Sequence, residues 1–236
     1  MYLNNLTILT HTHTDCEVLW EPYFDSYRNF FNHKNHIVLN NKQVDNIIHT
    51  QYVYCENKKY STRILECLKN IKTDYVLITF EDMILYNNVI INEIEKIIQL
   101  MSNENDILLI RLIKSGITSN ISYQQNLFLM DNTDFLFSIT PTIWRKDSLI
   151  ILLDKLKDLD IWSLEVSGNI LLKNNLFKCL YYYDNESRRG GHYDSSIYPH
   201  ICSAIFKGKW NMREYSKILE PIVKKYNINI YEKGIF

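Results

Sequence analysis

Glycine and proline are scarce in this chain, 6 and 4 residues among 236. No Pro/Gly/Ser-rich linker divides it, so a single unit with Asn-rich loops is expected. No apolar run approaches the ~20 residues of a membrane span. Met1-Tyr-Leu-Asn-Asn-Leu-Thr7 begins polar and runs straight into a short strand, so no secretory segment is expected. Charge of one sign is not in excess. Lys and Arg number 26 against 27 Asp and Glu, a formal net charge of -1. That gives no general electrostatic reason to bind nucleic acid or anionic membrane. The 5 cysteines (Cys16, Cys55, Cys67, Cys179, Cys202) are odd in number and show no CxxC spacing. This pattern argues for a reducing compartment and against a zinc site. A G-x-S-x-G elbow, a P-loop and a G-x-G-x-x-G fingerprint are all missing, which makes hydrolases of that type, kinases and dinucleotide enzymes poor fits. A soluble, cytoplasmic protein is expected.

What is present is a chain with 46% hydrophobic and 22% charged residues, large enough for a real core. Leu6–Thr10 reads as a first strand and His36–Asn40 as a second, with an amphipathic helix from about Trp20 to Phe31 between them. Another short strand is expected near Ile47–His49. Ser61 reads as the N-cap of a helix to about Lys72, with Ile64, Leu65, Leu68 and Ile71 on one face. A buried strand runs from Asp74 to Phe80, followed by a helix whose stripe is Ile90, Ile94, Ile97, Ile98 and Met101. Asp106–Ile113 is a further apolar strand. Short β-like pieces are expected at Ile121–Met130 and Phe135–Ile139. Then come a helix carrying Leu149, Leu152, Leu153 and Leu156, a helix opening at Trp162, and a strand at Phe177–Tyr183. A last helix runs to about Tyr226, interrupted near Pro221. Strand and helix alternate in the first half, which implies a mostly parallel sheet flanked by helices, an α/β fold.

In such a sheet the loops after the strands converge on one crevice. Glu81 and Asp82 end an almost unbroken apolar run there. Carboxylates in that position are costly unless they hold a metal, a sugar hydroxyl or a cation. Thr10, His11 and Asp15 follow the first strand and can hydrogen-bond a ligand, although the same residue types form ordinary turns. Arg63 lies in the first turn of its helix, where the dipole disfavours a cation. Either an external acidic partner or plain solvation accounts for it. Glu165 stands beside Trp162 at a helix start, a setting that suits a general base or simply complements the dipole. Arg188-Arg-Gly-Gly-His192 and Lys207-Gly-Lys209 are basic segments whose glycines allow close approach to an anion. His11 and His13 have an H-x-H spacing that is weak as a metal motif.

Tyr60–Met83 resembles the middle of GT-A-fold glycosyltransferases, nearest the divergent members that build surface glycans in bacteria and large DNA viruses. So does Phe137-Ser-Ile-Thr-Pro-Thr-Ile-Trp-Arg-Lys146 followed by Trp162-Ser-Leu-Glu165. The resemblance runs in order over about residues 5–210. It implies one GT-A-like, Rossmann-like domain over 1–236, with about 1–113 holding the nucleotide sugar and about 114–236 the acceptor. It further implies transfer of a hexosyl or deoxyhexosyl group from a nucleoside diphosphate sugar to a glycan hydroxyl, inverting and assisted by Mn²⁺ or Mg²⁺. Asp82 would be the metal ligand, with Glu81 beside it and His192 as a second candidate. Thr10, His11, Asp15 and Arg63 would lie near the nucleotide. Glu165 would deprotonate the acceptor, and His192, Lys207 and Lys209 would neutralise the departing diphosphate. The usual Asp-x-Asp is Glu81-Asp82-Met83 here, so basic residues are an alternative to the ion. A nucleotidyltransferase and a non-catalytic glycan- or protein-binding module stand as the other readings, the 17 tyrosines offering stacking surfaces for the latter.

Overall fold

The computed structural model describes residues 2–45, 47, 49–116, 119–131, 135–174 and 177–236. Nine strands form one sheet: β1 (Leu6–His11), β2 (His36–Asn40), β3 (Thr50–Val53), β4 (Tyr75–Phe80), β5 (Ile107–Arg111), β6 (Ile121–Gln124), β7 (Leu127–Leu129), β8 (Thr142–Arg145) and β9 (Lys178–Tyr182). Their order is β3-β2-β1-β4-β8-β5-β9-β7-β6. Strands β3, β2, β1 and β4 are parallel, and so are β5 and β9. Two small hairpins complete the strands, β10 (Arg188–Arg189) with β11 (His192–Tyr193) and β12 (Ile205–Phe206) with β13 (Lys209–Trp210). The helices are α1 (Trp20–Phe30), α2 (Tyr60–Leu68), α3 (Ile91–Asn103), α4 (Lys146–Lys155), α5 (Ile161–Lys173) and α6 (Met212–Lys225).

The central strands are apolar on both faces because helices cover both. Side chains alternate along β4: Tyr75 and Leu77 join a core with α1, α3 and α6, while Val76 and Ile78 join a second core with α2, α4 and α5. Burying β4 in this way is what carries Glu81 and Asp82 to the sheet edge.

Strand β8 was not foreseen, and it decides the site. It lies between β4 and β5 and is antiparallel to both, with Thr142 opposite Ile78 and Arg111. Its amino end therefore sits at the carboxyl ends of β4 and β5, and the loop leading into it, Ser138–Pro141, is delivered to the same edge.

Several local expectations are corrected. Ser61 is not the cap of α2. Lys59 takes that position, and the buried Ser61 hydroxyl instead accepts the Leu159 N–H at 3.0 Å. The helix also stops at Leu68, short of Lys72. Of the strand expected near Ile47–His49, Ile48 lies outside the described residues, and the strand itself is Thr50–Val53. Ile90 precedes α3 and is 44% exposed, so it is not part of the buried stripe. Ile121–Met130 is a hairpin of two strands. Among the described residues of 135–139 there is no strand. Helix α6 runs through Pro221, and its irregular backbone is at Tyr215. No helix is long and apolar enough to cross a membrane among the described residues.

Candidate functional site

The carboxyl ends of β4 and β5, the approach to β8 and the start of α5 open onto one cleft of roughly 910 Å³, a volume suited to a small-molecule ligand. Glu81, Asp82, Glu165, His192 and Lys207 all line it.

Glu81 directly follows β4 and is 8% exposed. Its carboxylate accepts hydrogen bonds from the Cys16 thiol and the Thr12 hydroxyl. The Thr12 oxygen is itself oriented by Trp20 Nε1 at 2.7 Å. Burial first, and then the charge of Asp82, push the Glu81 carboxyl up to about 7. Burial also lifts Asp82 to about 6, against the Ser203 hydroxyl, which donates to Oδ2 at 2.8 Å, and the backbone N–H of Ile205. The Ala204 N–H donates to the Asp82 carbonyl at 2.9 Å, so residues 203–205 strap this loop from outside. Two adjacent carboxyls with raised values mark a site that resists holding two negative charges unaided.

Glu165 arrives from the other wall. Asp160 caps α5, its Oδ1 accepting the N–H groups of Trp162 (3.1 Å) and Ser163 (2.9 Å). One turn into the helix, Glu165 Oε1 accepts the Ile139 N–H at 2.9 Å. This bond ties α5 to the loop before β8. Burial raises the Glu165 carboxyl, opposed by the Ile139 N–H and the charge of Arg111. The phenol of Tyr60 is raised by burial and then by the charges of both Glu165 and Glu81, which places one ring within the field of both walls.

Lys207 and His192 also line the cleft. Lys207 sits in the turn between β12 and β13 at a φ of 51°, its ammonium 5.5 Å from the Phe206 ring centre. His192, in β11, is held below its ordinary value by burial, which favours neutral imidazole, and its buried Nδ1 has no hydrogen-bond partner among the described residues. Behind them Arg111, fully buried at the end of β5, donates to Ser115 Oγ at 3.0 Å and to the Phe135 carbonyl.

The other residues singled out in the sequence lie outside the cleft lining. The Thr10 side chain is buried, 2.6 Å from the Tyr23 hydroxyl and 2.7 Å from His36 Nε2. His11 stacks on Tyr54 with ring centres 5.3 Å apart and packs edge-on to Tyr60 at 5.0 Å, behind the cleft residue Phe80. Asp15 is exposed and pairs with His13 at 3.3 Å. Arg63 needs no external acid: Nε donates to the Lys58 carbonyl and Nη2 to the Glu56 carbonyl, both at 2.7 Å, with the guanidinium 4.2 Å over the Tyr54 ring. Lys209 is exposed on β13. Among the described residues no group of three or more His, Cys, Asp or Glu is placed to hold a metal ion. Asp82 and His192 thus form no closed metal cage.

Sequence reasoning missed Cys16, Ser203 and Arg111. Arg111 carried a usable signal: like Glu81, it is a charge ending an apolar strand run. Cys16 and Ser203 carried none, since a lone thiol and a lone hydroxyl in loops have no pattern.

The sequence matches no family model and no curated protein. Solved structures do share its fold. A cytidylyltransferase from Leptospira borgpetersenii is 14% identical with a TM-score of 0.52, over 96% of this chain and 99% of that one. A CMP:2-keto-3-deoxy-manno-octonic acid synthetase, solved with CTP, is 8% identical with a TM-score of 0.52, over 93% and 99%. Residues 1–349 of Staphylococcus aureus TarS are 10% identical with a TM-score of 0.50, over 97% of this chain and 68% of that one. The architecture is a Rossmann-like GT-A arrangement, a mixed and largely parallel central sheet flanked by helices.

Proposed function

We propose that the chain moves a sugar from a nucleoside diphosphate sugar to an acceptor hydroxyl, with inversion at the anomeric carbon. One observation carries this reading: Glu81 and Asp82 on one side and Glu165 on the other line the same cleft. Breaking the anomeric bond builds negative charge on the diphosphate and demands a base for the acceptor proton. Glu165 supplies the base. Its raised carboxyl makes it a better proton acceptor than a free glutamate, and the Ile139 N–H fixes its direction. Lys207 is the cation available to the departing diphosphate, with His192 a hydrogen-bonding neighbour.

The donor set suits a divalent ion of the Mg²⁺ or Mn²⁺ kind, which takes one or two carboxylates and completes its shell with phosphate oxygens and water. Glu81 and Asp82 would hold such an ion, and it would stabilise the leaving-group charge, typically by several kcal/mol. The strap at 203–205 would then hold Asp82 in place, and Thr12 and Cys16 would hold Glu81.

A second reading has its own support, because two of the similar folds are a cytidylyltransferase and a CMP-sugar synthetase matched over 99% of their length. The end of β1 and the loop after it, Thr10–Asp15, contain neither glycine nor Lys or Arg, a poor cradle for a triphosphate. Product analysis separates the two. Incubation with UDP-, GDP- and dTDP-sugars, with and without Mn²⁺, should release nucleoside diphosphate, whereas nucleotidyl transfer from CTP would release pyrophosphate. Asp82→Asn should lower turnover at least ~100-fold. Glu165→Gln should leave nucleotide binding intact and cost ~10²–10⁴-fold in turnover. Wild-type rates in both variants would refute the assignment.

A further inference from the structure

Helix α5 has a composition that its place in the cleft does not explain. Its exposed residues are Trp162, Val166, Ile170 and Lys173. The first three are 69%, 59% and 61% exposed. They recur every fourth residue and so form one outward stripe of ~12 Å along the helix axis. No charge interrupts it: Glu165 is turned inward to the Ile139 N–H, and the exposed charges stand at the two ends, on Asp160 and Lys173. A helix that exposes three successive large apolar side chains over two turns with no charge between them is an interaction surface.

The stripe also begins in the cleft. Trp162 lines it, as does Phe135, which is 58% exposed. Whatever covers the stripe is therefore continuous with what enters beside Glu165. The three side chains together expose on the order of 400 Å², about half of what each partner contributes to a stable protein interface. That is too little for a second copy of the chain, but it is adequate for a shallow insertion among acyl chains, with a tryptophan at the boundary and a lysine at the far end to reach the headgroups.

We propose that α5 seats the protein on a lipid surface through Trp162, Val166 and Ile170, so that the cleft mouth faces that surface and the acceptor hydroxyl is borne by a lipid. The identity of the acceptor rests on the transfer reading above; the docking does not. Because the chain is almost neutral overall, apolar contact and not lipid charge provides the attraction.

Vesicle flotation tests this without any activity measurement. The full chain should float with vesicles of phosphatidylcholine alone as well as with vesicles containing phosphatidylglycerol, and added salt should not release it. Val166→Ser combined with Ile170→Ser, two exposed positions outside the transfer machinery, should weaken flotation by roughly tenfold or more, with thermal stability and nucleotide binding unchanged. Wild type that floats with neither vesicle overturns the proposal. So does binding to the anionic vesicles alone with release by salt, which would place an electrostatic contact elsewhere. A wild-type dimer that becomes monomeric in the double variant and ignores vesicles would likewise overturn it, in favour of a second copy. Wild type that floats but turns over no sugar nucleotide would instead refute the transfer reading and leave the docking standing.

Discussion

His11 offers a quantitative check on how the wall behind Phe80 is built. Its ring lies nearly parallel to Tyr54, with 6° between planes, and Nε2 is buried without a partner among the described residues. Burial first, and then the charges of Arg63 and His13, lower the imidazole from 6.5 to about 3. A histidine depressed in the folded state contributes stability that is fully present above its unfolded value and is lost as pH falls toward the folded one. The window here runs from about pH 6.5 down to about 3. At pH 5 the unfolded chain has taken up the proton while the folded chain has not, a loss of about 2 kcal/mol. His11→Phe keeps the stack and removes the titration. Its melting temperature should lie near wild type at pH 7.5, and the gap should widen in its favour by ~4–8 °C at pH 5 for a chain of this size. Calorimetry at the two pH values measures this. A gap that does not change between them, or a His11 titration near 6.5 by NMR, would refute the description of this wall.

Other perturbations test separate parts of the scaffold. A Cβ on Gly168 would meet Phe137 Cγ at 2.7 Å. Gly168→Ala should therefore lose ~1–3 kcal/mol to overpacking despite the better helix propensity of alanine, and turnover should fall as well, because Phe137 leads into the Ile139 contact with Glu165. Arg63→Ala removes two charge-assisted bonds to the Glu56 and Lys58 carbonyls; it should cost roughly 1–3 kcal/mol and open the 56–58 loop to limited proteolysis. Ser203→Ala frees Asp82 Oδ2; by the transfer reading, turnover should fall ~10-fold or more with folding intact, and unchanged turnover would mean that the strap is not needed to position the carboxylate.

The parts of this fold that were legible in the sequence are those where one local pattern decides the outcome. Tyr75–Phe80 could only be a buried strand, and the charges that follow it could only surface at the sheet edge. His36–Asn40 was equally clear. Glu165 was placed by its helix start, which Asp160 caps. Illegible features depend on partners far away in the chain. Thr142-Ile-Trp-Arg145 is four residues long and abuts a helix, so no periodicity announces it; only the space between β4 and β5 makes it a strand. His11 was read as loop because it is polar, yet β1 extends through it, and Tyr23 and His36 beside Thr10 and Tyr54 beside His11 supply the contacts that make these polar side chains tolerable there. Arg63 was read from the dipole alone, which ignores carbonyls offered by its own preceding loop.

Strand β8 has a consequence for how the molecule comes into being. During synthesis, β4 and β5 emerge well before residue 145; until then β4 keeps one bare hydrogen-bonding edge, and β5, whose neighbours β8 and β9 both come later in the chain, has no partner strand. The nascent sheet is thus incomplete at its centre, and the cleft that Glu81, Asp82 and Glu165 line cannot form before β8 is inserted. Such a late, long-range closure predicts slow maturation and dependence on holdase chaperones during that interval, and a fragment ending near residue 113 would leave β4 with a bare edge and β5 with no partner strand.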